Sequence, residues 1–105
     1  MSILFTREES GQNLVLHMEG AMTIYEGVTI RDELRNCFEQ SDRLILDLAA
    51  VHDCDTAGVQ LLCSAYKTAR SRNGMCSLKN VSDAVLEAMQ RTGVNLEEFW
   101  AAGEE

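Results

Sequence analysis

Residues 43–79 read RLILDLAAVHDCDTAGVQLLCSAYKTARSRNGMCSLK, and the order of elements in this stretch decides the fold. Arg43 to Leu48 is a short, nearly continuous apolar run of the kind expected of a central strand covered on both faces. From Thr56 to about Arg72, Val59, Leu62, Tyr66 and Ala69 recur at helical spacing, while Leu61, Cys63 and Ala65 widen the stripe so that the first turns should be buried. Asn73-Gly74 ends the helix and Met75 to Lys79 resumes extended structure. Strand, helix and strand in that order make a crossover whose two strands should be parallel.

Outward from this unit, Ile3 to Thr6 and Asn13 to Glu19 flank a turn-like Glu8 to Gln12. In the second run Leu14, Leu16 and Met18 alternate with Val15, His17 and Glu19, which predicts an antiparallel hairpin with one buried face. Thr23 and Glu26 have capping-box spacing, and Ile30, Leu34, Cys37 and Phe38 then mark an amphipathic helix to about Gln40. A third helix follows a Ser82 cap, with Val81 and Leu86 at staple spacing, Val85, Leu86 and Met89 as its buried stripe and Gly93 at its C-terminal end. Asn95 and Glu98 suggest a last short helix carrying Phe99 and Trp100. The whole predicts one α/β domain over residues 1–105, with a mixed sheet of four to five strands packed with about four helices.

Composition narrows the function classes. Nine Lys and Arg against seventeen Asp and Glu leave a net charge of -8, which repels phosphate backbones and anionic lipid surfaces, so no nucleic-acid partner is expected. The start, MSILFTREES, is not a signal sequence, and no apolar run is long enough to insert in a membrane, which points to a cytoplasmic protein. The four cysteines, Cys37, Cys54, Cys63 and Cys76, form no C-x-x-C pair and read as reduced core thiols. A zinc site from His52, Cys54 and Cys63 lacks regular spacing and a fourth ligand, so no metal and no cofactor is expected. With His17 on a strand and His52 at a loop edge, neither histidine has a nucleophile in register, and no phosphate-binding glycine motif occurs. The chain is therefore not expected to be an enzyme.

One loop stands out. Val51 to Gly58 should lie at the carboxyl end of the central strand, where open α/β sheets place their working groups. Asp55 suits a helix cap, Thr56 would present its hydroxyl outward from the first turn, and Gly58 permits close approach.

Residues 44–94, LILDLAAVHDCDTAGVQLLCSAYKTARSRNGMCSLKNVSDAVLEAMQRTGV, resemble the second half of a STAS domain, the fold of bacterial anti-sigma factor antagonists such as SpoIIAA and of the cytoplasmic tails of sulfate transporters. The likeness spans Leu14 to about Phe99 and rests on Gly20 after the second strand, the LDL strand, the DTAG loop, the NG turn and the VS…V…TG pattern of the third helix, in order. In the anti-sigma antagonists the hydroxyl residue after the Asp is phosphorylated by a partner that is both kinase and anti-sigma factor, and a phosphatase reverses it; the resemblance implies Thr56 as acceptor. It further implies partner binding through the loop from Asp53 to Gly58, including Ala57, with Asp55, Thr56 and Gly58 resting on the family match; Gln60, Ser64 and Lys67 along the helix are guesses from spacing. The sequence departs from the common pattern: Asp53-Cys54 stands where many antagonists have two apolar residues, the acceptor is Thr, and Ala57 follows. DTAGVQLL is closer to STAS proteins of chemotaxis-type signalling and to the STAS subunit of lipid-trafficking ABC transporters, which leaves an anti-sigma kinase, a signalling protein or a transporter ATPase open as partner, and a homodimer as well. A phosphoaspartate receiver, suggested by Asp47 and Asp55, lacks the acidic pair after the first strand and the late Lys.

Overall fold

Residues 2–95 are described by a computed structural model. Strand β1 (Ile3–Ser10) pairs antiparallel with β2 (Asn13–Met22) through a tight turn at Gly11 and Gln12. The hairpin is as expected but longer: β1 continues through the segment read as turn, because the charged TREES stretch lies on a sheet edge where polar side chains cost nothing. A short 3₁₀ turn (Ile24–Glu26) leads into α1 (Gly27–Gln40), then β3 (Arg43–Cys54), α2 (Thr56–Ser71), β4 (Met75–Lys79) and α3 (Asp83–Thr92). The sheet order is β1-β2-β3-β4, with β3 parallel to both neighbours. The described residues thus hold four strands and three α-helices, one helix fewer than expected; the fourth, around Phe99 and Trp100, falls outside them.

The three helices bury one face of the sheet. Leu14, Leu16, Met18, Leu44, Leu46, Leu48, Cys76 and Leu78 project from that face into a single cluster. The helices meet them with Ile30, Leu34, Cys37 and Phe38 from α1, Val59, Leu62, Ala65 and Ala69 from α2, and Val85, Ala88 and Met89 from α3. The expectation that Arg43 to Leu48 is covered on both faces is corrected: Ile45 and Asp47 are only half-buried, because all helices pack on the other side. Period-two alternation was present in RLILDL but masked by the aliphatic Ile45. At the rim of the buried face the apolar pattern of β1 gives way to Arg7, whose Nε donates to Glu33 of α1 at 2.8 Å and ties the edge strand to the helix layer.

The open face carries a polar stripe. His17 of β2 stands between two carboxylates, its Nε2 2.8 Å from Glu8 Oε1 on β1 and its Nδ1 2.8 Å from Asp47 Oδ2 on β3. The Glu8 hydrogen bond, with help from Asp47, outweighs partial desolvation and raises the His17 pKa above its ordinary value. Burial alone would raise Asp47, but the Ala49 N–H, His17 and Asn80 outweigh it and hold that carboxyl below its usual range. Stability drawn from His17 is thus fully present below the unfolded imidazole pKa of about 6.5 and is lost as pH rises through the higher folded value; the Asp47 share is present above about pH 3.9 and lost as pH falls through its lowered value. Urea midpoints should accordingly decline as pH rises above roughly 6.5, and His17→Gln should flatten that part of the profile. An unchanged slope in the variant would show that the bridge contributes nothing.

Candidate functional site

The carboxyl ends of the parallel strands β2 and β3 release, side by side, the 3₁₀ turn and helix α2. Half of the segment expected as a loop is strand: β3 runs on to Cys54, with Val51 and Cys54 buried and His52 and Asp53 exposed. Two register shifts, between His17 and Glu19 and between Gly20 and Ala21 on β2, place an extra residue on β3 each time, so the later half of the strand does not keep the strict alternation of the first. Gly20 sits at this irregularity with φ +120°, and a Cβ there would stand 2.4 Å from the Ser2 carbonyl.

Asp55 organises the junction. Its Oδ1 accepts from the Gly58 N–H at 3.0 Å and so caps α2, while its Oδ2 accepts from the Ile24 N–H at 3.0 Å. Its own N–H donates to the Met22 carbonyl at 3.2 Å. One residue therefore fastens the end of β2, the 3₁₀ turn and the start of α2 together. Replacing Asp55 by Ala leaves the Gly58 and Ile24 amides without this acceptor and should cost about 1–2 kcal/mol, read as a lower urea midpoint.

Thr56 opens α2 and is exposed, and among the described residues its hydroxyl makes no hydrogen bond. Ala57 is half-buried, whereas Asp53 and Gln60 are exposed, as are Ser64 and Lys67 on the same helix. Gly58 differs from its predicted place among the surface residues: it is buried, and a Cβ there would lie 2.3 Å from the Met22 carbonyl and 2.9 Å from Cys54 Sγ. The close approach it permits is internal, between α2 and the end of β2. Arg91 of α3 also reaches this end of the sheet, donating to the Cys54 carbonyl at 3.4 Å.

Sequence reasoning missed one component. Ile24, Tyr25 and Val28 are 66%, 88% and 61% exposed, large apolar side chains gathered on the 3₁₀ turn and the first turn of α1. Thr23 and Glu26 do not form the expected capping box: their side chains bond to each other in a buried pair, which turns the intervening Ile24 and Tyr25 outward. The signal was there in TIYEGV, where apolar residues precede the helical stripe that Ile30 begins.

Neither Cys54 at the site nor Cys76 at the far end of the sheet is poised for chemistry. Burial, reinforced by Asp55 and Asp53, pushes Cys54 up to about 11, and burial pushes Cys76 up to about 12. All four cysteines are free. Among the described residues no cluster of three His, Cys, Asp or Glu has the geometry to hold a metal ion, and no helix is long and apolar enough to cross a membrane.

Residues 5–102 match the STAS domain family. The chain belongs to that family. Solved structures agree in fold. An anti-sigma factor antagonist from Mycobacterium paratuberculosis superposes with a TM-score of 0.75 at 19% identity, over 88% of this chain and 79% of its own. The Bacillus cell-fate determinant SpoIIAA in its phosphorylated form gives 0.68 at 19% identity, over 91% and 87%. The unphosphorylated anti-sigma factor antagonist SpoIIAA gives 0.65 at 19% identity, over 83% and 82%. No curated protein matches this STAS domain in sequence. The mixed four-stranded sheet with helices is the SpoIIAA-like arrangement, and the anti-sigma-antagonist-like fold expected from DTAG and its flanking motifs is the one found.

Proposed function

We propose that this STAS domain is a non-enzymatic binding protein that docks on a protein partner through the carboxyl end of its sheet and is released when Thr56 is phosphorylated. The observation that carries this reading is Thr56 itself: an exposed, unengaged hydroxyl on the first turn of a helix whose start is pinned by both oxygens of Asp55. Such a hydroxyl can be modified without dismantling the fold. Ile24, Tyr25 and Val28 supply the apolar anchor that a partner would bury, and Asp53 and Gln60 supply a polar border. Phosphate on Thr56 adds about 1.5–2 negative charges beside Asp53 and Asp55, so a partner surface that complements two carboxylates would meet doubled charge and added bulk.

The likeness to SpoIIAA, solved both with and without phosphate, supports an anti-sigma factor kinase or a related signalling protein as the partner, with a phosphatase closing the cycle. The raised thiol pKa of Cys54 keeps it protonated near neutral pH, which disfavours it as a nucleophile at this junction. Affinity capture from host lysate with wild-type protein, Tyr25→Ala and Thr56→Glu tests the reading. A kinase-type or signalling protein should be retained by wild type and lost from both variants, with the Tyr25→Ala protein melting at an unchanged temperature because the side chain is 88% exposed. Capture of an ABC-type ATPase instead would assign the domain to a transporter and make Thr56 a packing contact.

A further inference from the structure

Helices α1 and α2 pack side by side and leave a groove of about 170 Å³ between them. Its floor is apolar, formed by Leu34 and Phe38 of α1 and Leu61 and Ala65 of α2. Arg31, Arg35 and Arg72 surround it, and no lining side chain is acidic. This is unexpected in a chain of net charge -8, where three of only nine Lys and Arg border one groove. The three cations are poorly neutralised. Arg35 makes no hydrogen bond or ion pair among the described residues, and Arg31 has only a 3.8 Å contact with its exposed neighbour Asp32. Arg72 is held across the groove by donation from its Nη2 to the Phe38 carbonyl at 2.9 Å, which positions the guanidinium and leaves its other N–H groups for a ligand. Ser64 and Thr68 add hydroxyls on the α2 side.

We propose that this groove binds a small amphipathic anion: one aromatic ring or short alkyl body carrying a phosphate or carboxylate. Size and chemistry both limit the occupant. The groove volume is close to the roughly 150 Å³ that accommodates a benzene ring in a protein cavity, so the apolar body is compact. Leu34, Phe38 and Ala65 are largely buried and Leu61 is half-buried, so the floor offers only a small apolar patch, which suits a compact body. The planar forks of the arginines suit a two-oxygen anionic head, and the floor takes the body beneath it. An apolar ligand without charge would leave the guanidinium cluster uncompensated, and a bare anion would leave the floor wet.

Phenyl phosphate is the probe. Titrated into the whole domain and followed by amide NMR, it should give saturable shifts at Arg35, Ser64 and Thr68, with benzyl alcohol and inorganic phosphate each binding at least about fivefold more weakly. The double substitution Arg31→Gln with Arg35→Gln should weaken phenyl phosphate at least about tenfold. Both side chains are exposed and carry no structural hydrogen bond, so the variant should keep the wild-type circular dichroism and melting temperature. Absence of saturable shifts in the groove, unchanged affinity in the folded double variant, or inorganic phosphate binding as tightly as phenyl phosphate would each overturn the proposal.

Discussion

Thr56→Glu is expected to weaken binding to the captured partner by at least about tenfold, whereas Thr56→Ser should stay within about threefold of wild type. The difference isolates charge from shape, because Ser keeps the hydroxyl and Glu adds a carboxylate next to Asp53 and Asp55. The fold should not share in the loss. Thr56 is exposed, its hydroxyl serves no internal contact, and a negative group in the first turn of α2 lies at the positive end of the helix dipole, which is neutral to favourable by about 0.3–1 kcal/mol. Isothermal titration of the purified pair, with melting curves of both variants alongside, separates the two effects. Equal affinities for Glu and Ser at equal stability would remove charge as the switching agent.

Gly58→Ala should have the opposite signature, a large loss of stability from a single methyl group. The added Cβ would stand 2.3 Å from the Met22 backbone carbonyl and 3.1 Å from its Cβ, and neither can move without shifting the end of β2. That carbonyl also accepts from Asp55 N–H, and Asp55 in turn holds Gly58 N–H and Ile24 N–H, so displacement of α2 disturbs every bond at the junction. Overpacking of this kind costs about 3 kcal/mol, enough to lower the melting temperature of a domain this size by more than about 10 °C. A variant melting within about 2 °C of wild type would mean that the junction is far more compliant than its geometry implies. Partner binding should fall as well, since the 3₁₀ turn bearing Ile24 and Tyr25 is anchored to the same residue.

The central crossover was legible because its signals are local: an apolar run, a helical stripe, Asn73-Gly74 and a second extended run. The caps were legible for the same reason, with Asp55, Ser82 and the left-handed Gly93 each found at its predicted helix end. What the sequence hid depends on partners distant in the chain. The end of β3 was placed at Leu48 because two bulges against β2 break its alternation, and bulges leave no mark in the residues they involve. Close packing at Gly58 is legible, but the backbone it meets is not, because the Met22 carbonyl is 36 positions away in sequence and adjacent only after folding. Ile24 and Tyr25 read as ordinary helix residues, but the buried Thr23–Glu26 pair sets a 3₁₀ turn that points them outward, beside Val28 on the first turn of α1. The carboxylates flanking His17 depend on strand register, and the arginine groove depends on α1 and α2 lying side by side; neither has a local signature. In the candidate site, then, the residue that organises and the hydroxyl that is offered were readable, and the apolar anchor was not.

Whether the partner is held should depend on the state of Thr56. This dependence is tested most directly by purifying the protein from its host under resting and inducing conditions, separating the partner-bound and free pools, and mapping the peptide that carries Thr56 by mass spectrometry. This peptide should be about 80 Da heavier, by one phosphoryl group, in the free pool and unmodified in the bound pool. A Thr56 that is unmodified in both pools under every condition, or modified to the same extent in each, would contradict that dependence.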